Sequence, residues 1–193
     1  MRIVAGALRG RILIAPQGRA TRPTADRVRQ ALFDMLLHAP WGGRALLEDA
    51  VVMDAFAGTG AMGLEALSRG AARSVFIESD PAALRALQAN IATCRAGDRC
   101  RVVAGDVLGV GRGEAATLAF LDPPYGQGLL PRSVAHLAGA GWLAPGALIV
   151  AETGRGDGWL PGADVLAERI YGTARVVVYR LEESGAVRAG VDC

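Results

Sequence analysis

The sequence predicts an α/β fold built on a mainly parallel sheet, and three observations support this. From Leu46 onward, short apolar runs alternate with amphipathic segments, the pattern of parallel strands covered by helices on both faces. One apolar run, at 51–54, leads into a glycine-rich turn at 58–60 that opens a helix. Two late runs separated only by Tyr171-Gly172-Thr173 predict a C-terminal antiparallel hairpin. Together these runs predict a seven-stranded sheet.

The elements are expected in the following order. A small basic arm with two short strands reaches to about Pro16, and a helix with apolar residues at helical spacing from Val28 to Leu36 follows it. The break at Pro40-Trp41-Gly42-Gly43 separates residues 1–44 from a main domain over 45–193. In that domain we expect strands near 51–54, 73–78, 101–105, 117–122, 147–152, 164–170 and 174–181, and helices over 61–69, from Pro81 through Ile91, and over 130–139.

Composition excludes several classes of protein. With 193 residues, 51% of them hydrophobic, the chain can build one sizeable core. It shows no signal-like amino terminus and no apolar stretch of membrane-spanning length, so we expect a cytoplasmic protein without membrane contact. The cysteines and histidines are not spaced as a disulfide framework or a zinc site, so we expect no metal; they are Cys94, Cys100, Cys193, His38 and His136.

Positive charge is concentrated at the amino terminus. The net charge of the chain is only +2, but residues 1–44 carry eight arginines against two acids, Asp26 and Asp34, while the rest of the chain is net acidic. Arginine suits bidentate contacts with phosphate and stacking on bases. The arm and first helix are therefore predicted to bind nucleic acid.

The segment Asp122-Pro123-Pro124-Tyr125 follows a buried-looking strand and suits chemistry on a planar amine. Such an amine attacks poorly until acceptors hold its protons, and the Asp122 carboxylate and the Pro123 carbonyl would be those acceptors. Two prolines restrict the backbone and so hold the acceptors in place before substrate arrives. Tyr125 would cover the flat face of the acceptor group by stacking. The alternative is a proline-rich turn in which Tyr125 only packs.

The turn after the first strand has two possible ligands. Gly58, Gly60 and Gly63 fit G-x-G-x-x-G, and Glu78 stands 20 residues beyond Gly58, as in a dinucleotide site. Asp54 at the mouth of the turn would instead repel a pyrophosphate and suit an ammonium group. This acid favours S-adenosylmethionine.

Acids also end the neighbouring strands. Glu78 would accept hydrogen bonds from ribose hydroxyls, and Asp106 would meet an adenine amine. Asp54, Glu78, Asp106 and Asp122 stand at the ends of four successive predicted strands, on the edge where open α/β sheets bind ligands. Chance makes this arrangement uncommon.

Several motifs resemble those of one family. The cofactor and amino-methylation motifs look like those of Rossmann-like class I S-adenosylmethionine-dependent methyltransferases. More specifically, the chain is similar to the RsmD family of bacterial 16S ribosomal RNA guanine-N2 methyltransferases, in Arg9-Gly10-Arg11, in the segment RPTADRVRQALF at 22–33 and in the segment FAGTGAMGLEALSRG at 56–70. The R-P-T-x-D-R-V-R part is the specific one, because other methyltransferases share only the later motifs.

The resemblance implies direct transfer of a methyl group from S-adenosylmethionine to the N2 amine of a guanine in 16S rRNA, within a partly assembled small subunit. Residues 45–193 would be the methyltransferase domain, and residues 1–44 would contact RNA. The implied catalytic residues are Asp122, Pro123, Pro124 and Tyr125. The implied cofactor residues are Asp54, Phe56, Ala57, Gly58, Gly60, Glu78 and Asp106, and the expected RNA-binding residues are Arg9, Arg11, Arg22, Arg27 and Arg29.

Other functions remain open from the sequence. A DNA adenine-N6 methyltransferase can carry the same D-P-P-Y segment, but usually needs an additional recognition domain. Protein glutamine methylation uses a similar pocket, typically with asparagine in place of Asp122. An NAD-dependent oxidoreductase fits the glycines but leaves 122–125 unexplained, and a non-catalytic RNA-binding module gives no reason for the acids.

Overall fold

The computed structural model of the protein describes residues 1–15, 23–154, 160, 163–171 and 174–182. It confirms the α/β fold, with one seven-stranded sheet in the order β3-β2-β1-β4-β5-β7-β6. The strands are β1 Val51–Ala55, β2 Arg73–Glu78, β3 Cys100–Ala104, β4 Ala116–Leu121, β5 Leu143–Thr153, β6 Ala163–Tyr171 and β7 Ala174–Leu181. The helices are α1 Pro23–His38, α2 Ala61–Ser68, α3 Pro81–Cys94 and α4 Leu129–Gly139.

Strands β1 to β5 are parallel to one another, and the C-terminal hairpin is antiparallel as expected. Strand β5 differs from the prediction, because it begins at Leu143 rather than near 147. Its first residues include Pro145 and Gly146, which sequence reasoning excludes from a regular strand. The register of β5 against β4 shifts between Ala116 and Leu118, and this irregularity accommodates them.

The sheet has an apolar core on each face, since alternate residues of a strand point to opposite sides. Side chains such as Val52, Phe120 and Val150 face α1, α2, α3 and the amino-terminal arm. Their neighbours Met53 and Ala151 face α4. Phe33 of α1 lies with its ring centroid 5.4 Å from that of Phe120, so the first helix packs directly on the sheet.

Residues 1–15 form an arm that does not contain the two short strands expected there. Its ladder is reduced to a single bridge between Arg2 and Ile12. Several of its backbone groups bond instead to the helices: Val4 and Ala5 N–H donate to Glu65, Leu8 N–H to the Ser68 hydroxyl, and Ile14 N–H to Asn90.

The arm and α1 also share the core of the main domain. Ile3 and Leu13 of the arm are buried in the same cluster as Leu36 of α1 and Leu64 of α2. In packing, the arm and α1 are therefore continuous with the sheet, and the assignment of residues 1–44 as a separate RNA-binding unit stays a prediction. Within the described residues, no helix is both long and apolar enough to cross a membrane.

Helix α2 lies very close to β2 because position 63 is glycine. A Cβ built on Gly63 would stand 2.3 Å from the Ser74 hydroxyl oxygen and 2.4 Å from the Phe76 ring. These distances are far below van der Waals contact, so a side chain there would push the helix away from the strand. The glycine that completes G-x-G-x-x-G thus has a packing role.

We expect Gly63→Ala to destabilise the protein by about 1–3 kcal/mol, the usual cost of overpacking a core. Gly139→Ala is the matched control, because Gly139 is helical and a Cβ there would contact nothing within 4 Å. This control should be neutral or slightly stabilising. Denaturant unfolding of both variants measures the difference, and equal stabilities would contradict the close approach of α2 to β2.

Candidate functional site

The carboxyl ends of β3, β2, β1 and β4 lie side by side at one edge of the sheet. Asp54 lies in β1 opposite Phe76 and Phe120, Glu78 ends β2, Asp106 follows β3 by two residues and Asp122 directly follows β4. The parallel pairing therefore brings the four predicted acids to one edge.

Asp54 is the buried acid of the four, with 4% of its surface exposed. Its Oδ2 accepts a hydrogen bond from the Gly63 N–H at 2.9 Å, which ties β1 to the first turn of α2. Burial is the main cause that raises the pKa of Asp54 to about 7. The negative charges of Asp122 and Glu78 also raise this pKa, because the three carboxylates lie near one another. Contact between Asp54 and a ligand ammonium stays a prediction.

The turn from β1 to α2 is tightly folded. Phe56, Gly58 and Gly60 all have positive φ, at 63°, 55° and 75°. A left-handed conformation is uncommon for a bulky residue such as Phe56, and strain of this kind concentrates at ligand sites. A Cβ on Gly58 would meet only the Phe56 carbonyl oxygen, at 4.0 Å, so the turn presents open space at this point. Ala57 N–H donates to the Ile77 carbonyl at 3.1 Å and anchors the turn to β2.

Glu78 organises the backbone around the turn. Its Oε2 accepts from Gly58 N–H at 2.7 Å, and its Oε1 accepts from the N–H groups of Ser79 and Asp80 at 2.8 Å each. A carboxylate offers about four acceptor positions, so three bonds leave capacity for one hydroxyl. Glu78 is half-buried at the rim, which agrees with the predicted ribose contact without testing it.

Asp106 lies exposed in the turn that follows β3. Its Oδ1 accepts from Leu108 N–H at 2.9 Å. The preceding Gly105 N–H donates to the Glu78 carbonyl at 2.9 Å, which holds this turn beside the end of β2. The two acids predicted for the nucleoside part of the cofactor are therefore neighbours.

The loop after β4 presents the predicted amine-binding residues at the same edge. Asp122, Pro124 and Tyr125 are exposed, and Pro123 is buried. The Tyr125 hydroxyl donates to Glu152 Oε1 at 2.6 Å. The aromatic ring, which is 47% exposed, is thus held by its hydroxyl while it stays open to a ligand.

Sequence reasoning missed Glu152, which lies near the end of β5. The signal was available, because the rule that found acids at four strand ends extends to the fifth parallel strand. The expected strand 147–152 ends at this residue. Pairing of Leu121 with Ala151 makes Asp122 and Glu152 the next residues on adjacent strands.

The arginines predicted to bind RNA fall into different environments. Arg9, Arg11 and Arg27 are exposed, and Arg22 lies outside the described residues. Arg9 and Arg27 line a cleft of about 440 Å³ between the arm and α1, together with Arg2, Asp26 and Asp34. The cleft therefore carries both basic and acidic side chains.

Arg29 has a structural position that does not agree with its predicted contact with RNA. Only 4% of it is exposed, and its guanidinium donates to the Asp26 carboxylate at 2.9 Å and to the Arg2 carbonyl. Its Nε lies 3.5 Å from Glu65. These groups hold the arm, α1 and α2 together, so phosphate would have to break an internal network to reach this arginine.

Asn90 connects the arm to the glycine-rich turn. This fully buried side chain accepts from Ile14 N–H at 2.8 Å and donates to the carbonyls of Ile14 and Thr59 at 2.9 and 3.0 Å. The arm is therefore anchored to the same turn that forms the candidate cofactor site. No cluster of potential metal ligands occurs within the ranges that the structure describes.

Comparison with known proteins adds to this geometry. A family model described as "Conserved hypothetical protein 95" matches residues 1–180. Ribosomal RNA small subunit methyltransferase D of Escherichia coli K12 is 39% identical over 191 residues, which cover 96% of this chain and 92% of that protein. The solved structure of the putative methyltransferase YhhF from Escherichia coli has a TM-score of 0.80 at 38% identity, covering 94% of this chain and 98% of the other.

More distant structures share the architecture. An RNA methyltransferase from Salinibacter ruber, solved in complex with S-adenosyl-L-homocysteine, matches with a TM-score of 0.61 at 19% identity. The match covers 86% of this chain and 95% of that protein. At this identity the likeness shows the shared fold alone.

The buried carboxyl of Asp54 makes a testable contribution to pH-dependent stability. It ionises near 3.8 in its usual setting and near 7 in the folded protein. Stability from this group is complete below the lower value and is lost as pH rises toward and through the higher one. Between about pH 5 and pH 8, the free energy of unfolding should fall by ~2–3 kcal/mol from this cause.

Asp54→Asn removes the titration but keeps an oxygen that can accept from Gly63 N–H. The free energy of unfolding of this variant, relative to the unaltered protein, should therefore rise over the same pH range. Denaturant unfolding at several pH values measures it. A constant difference across the range would show that Asp54 ionises normally in the folded state.

Proposed function

Since the chain belongs to the RsmD family, we propose that it transfers a methyl group from S-adenosylmethionine to the N2 amine of a guanine in 16S ribosomal RNA. One observation carries the proposal. Ala55 pairs with Leu121 on adjacent parallel strands, so the glycine-rich turn after β1 and the predicted amine-binding loop after β4 leave the sheet side by side at one edge. A donor in the turn and an acceptor at the loop would then lie close together.

The residues of the glycine-rich turn fit S-adenosylmethionine. The open space at Gly58 admits a ligand against the backbone, and the surrounding acids suit its functional groups. Asp54 would face the ammonium group, Glu78 the ribose hydroxyls and Asp106 the adenine amine. When bound, this cofactor would supply a sulfonium-activated methyl group, its carbon–sulfur bond breaking with the electron pair left on sulfur as the carbon–nitrogen bond forms. The names of the methyltransferase relatives at 38–39% identity support a methyl donor of this kind.

The loop after β4 would prepare the guanine amine. The Asp122 carboxylate and the Pro123 carbonyl accept hydrogen bonds from the two N–H groups of the amine. These bonds direct the nitrogen lone pair at the methyl group. After transfer the nitrogen carries a surplus proton, which passes to Asp122 and then to water. No residue forms a covalent intermediate.

Positioning would supply most of the rate in this mechanism. Holding two reactants at near-contact distance can lower a barrier by roughly 7–11 kcal/mol. Pro123 is buried and Tyr125 is tied to Glu152, so the loop is fixed at both ends of its functional segment. Tyr125 would stack on the base and set the plane in which the amine is held.

The RNA must present its guanine outside a helix, because a stacked base cannot enter a pocket at the sheet edge. The name of the Escherichia coli relative supports small-subunit RNA as the substrate. Arg9, Arg11 and Arg27 would contact phosphates around the target, and the cleft between the arm and α1 lies among these contacts. A partly assembled small subunit would offer a fixed arrangement of such phosphates.

Methyl transfer from radiolabelled S-adenosylmethionine tests the proposal directly. Small subunits that lack the modification should accept label in 16S RNA at a guanine N2, whereas DNA and a protein release factor should not. Asp122→Ala should reduce turnover by at least about 100-fold, as expected for loss of a group that acts on the reacting atom, and should still bind the cofactor. Asp98→Ala is the matched control, an exposed acid in the short 3-10 helix Gly97–Arg99 that precedes β3, at the opposite end of that strand from the site.

Label in DNA or protein, or none in RNA, would refute the substrate assignment. Near-normal turnover of Asp122→Ala would remove this carboxylate from the reaction.

The arm is tested by reversing its charge. Arg9→Glu with Arg11→Glu should weaken RNA binding by tenfold or more and reduce the dependence of affinity on salt, because fewer counterions are released. Binding of S-adenosylmethionine should not change. Arg112→Glu with Arg132→Glu makes the same change of charge at exposed sites on the α4 side of the sheet.

Filter binding or fluorescence anisotropy over a salt series compares the two double variants. An equal loss of RNA affinity in both would show a general charge effect, and an unchanged affinity in the arm variant would show that the arm does not contact RNA.

A further inference from the structure

We propose that Glu152 accepts the N1–H of the target guanine and thereby selects guanine over bases whose ring nitrogen at this position has no proton. The inference deepens the proposed function and rests on it. It assigns base recognition to a carboxylate at the end of β5, one strand beyond the acids already described.

The strand register places Glu152 beside the amine-binding loop. Leu121 of β4 pairs with Ala151 of β5 on parallel strands, so Asp122 and Glu152 are the next residues along these two strands. Adjacent strands lie about 4.8 Å apart. Phe120 and Val150, two residues earlier, both point to the core beneath α1, α2 and α3. By strand alternation, Glu152 is on the same face of the sheet as Asp54 and Glu78.

One oxygen of Glu152 is committed and the other is available. Oε1 accepts the hydrogen bond from the Tyr125 hydroxyl at 2.6 Å, which fixes the carboxylate next to the ring predicted to stack on the base. Within the described residues Oε2 has no hydrogen-bond partner, and the side chain is only half-buried. The second oxygen is thus left to accept a hydrogen bond from the base, while the bond to Tyr125 places the carboxylate beside the ring.

The chemistry of guanine matches a pair of carboxylates. Its N1–H and its N2 amine are adjacent donors on one edge of the ring. Asp122 would accept from the amine, and Glu152 would accept from N1–H. Adenine offers an unprotonated N1 at the corresponding place, which would oppose the lone pairs of a carboxylate. A site built to accept a substrate proton discriminates strongly against analogues that lack it.

A hydrogen bond from N1 to a carboxylate also increases electron density on the ring. The N2 lone pair is delocalised into that ring, so this interaction partly offsets the poor nucleophilicity of the amine. Glu152 would therefore affect turnover as well as the choice of base.

The test uses 2-aminopurine, which keeps the exocyclic amine of guanine but has no proton on N1. Small subunits are reconstituted with 16S RNA that carries either guanine or 2-aminopurine at the position labelled in the methyl-transfer assay. The unaltered protein should favour guanine by at least about 100-fold in kcat/KM. Glu152→Gln should reduce this ratio at least tenfold, because the amide N–H can donate to the unprotonated N1 while its oxygen still accepts from Tyr125.

Tyr125→Phe distinguishes recognition of N1–H by Glu152 from a role of Glu152 in positioning Tyr125. It removes the hydroxyl that holds Glu152 but keeps the carboxylate, so turnover should fall on both substrates and the ratio should stay within about threefold. If Glu152 only supported Tyr125, Glu152→Gln would lower both rates together and leave the ratio unchanged, and that result would overturn the inference.

A second substitution of Glu152 and a check of folding make the test independent of the fold of any one variant. Glu152→Ala also removes the acceptor and should likewise reduce the preference for guanine, and binding of S-adenosylhomocysteine checks that each variant is folded. An unchanged ratio in a folded Glu152→Ala protein would again overturn the inference. Failure of the proposed function is distinct, because the unaltered protein would then methylate neither RNA.

Discussion

Parallel pairing of five adjacent strands is the constraint on which the site depends. Strands β3, β2, β1, β4 and β5 run in the same direction, so all their carboxyl ends meet at one edge. Residues separated by nearly 100 positions in sequence, from Asp54 to Glu152, become neighbours there. Each acid has its own surroundings, from the buried Asp54 to the exposed Asp122.

A second, buried network attaches the amino-terminal arm to this edge. The Glu65 carboxylate is fully buried and accepts from the backbone of Val4 and Ala5 and from Arg69 Nε, while Arg29 lies beside it. Breaking such a buried pair is costly, because the remaining charge has no water to solvate it. Asn90 continues the attachment to the glycine-rich turn. An arm proposed to contact RNA is thus continuous with a turn proposed to hold the methyl donor.

Periodicity in the sequence predicted most of the regular elements of the sheet and helices, although not the start of β5. The strand expected at 73–78 and the helix opened by Asp80-Pro81 agree with the structure, since local backbone preferences and the alternation of apolar residues specify both. The structure of the arm could not be predicted in this way. Several of its backbone N–H groups bond to side chains some 60 to 76 residues away, and no local pattern contains these bonds.

The sequence by itself determined the fold class, the family and the residue types of the site, because motifs and periodicity are local properties of the chain. The partners of these residues were decided only by the tertiary structure. Arg29 and Arg9 are both arginines of a basic segment, yet one is buried in an ion-pair network and the other is exposed at a cleft. Glu152 gained its place through strand register and a hydrogen bond from Tyr125. Burial, register and long-range hydrogen bonds arise only when distant segments pack together, and for that reason they could not be read from residue order.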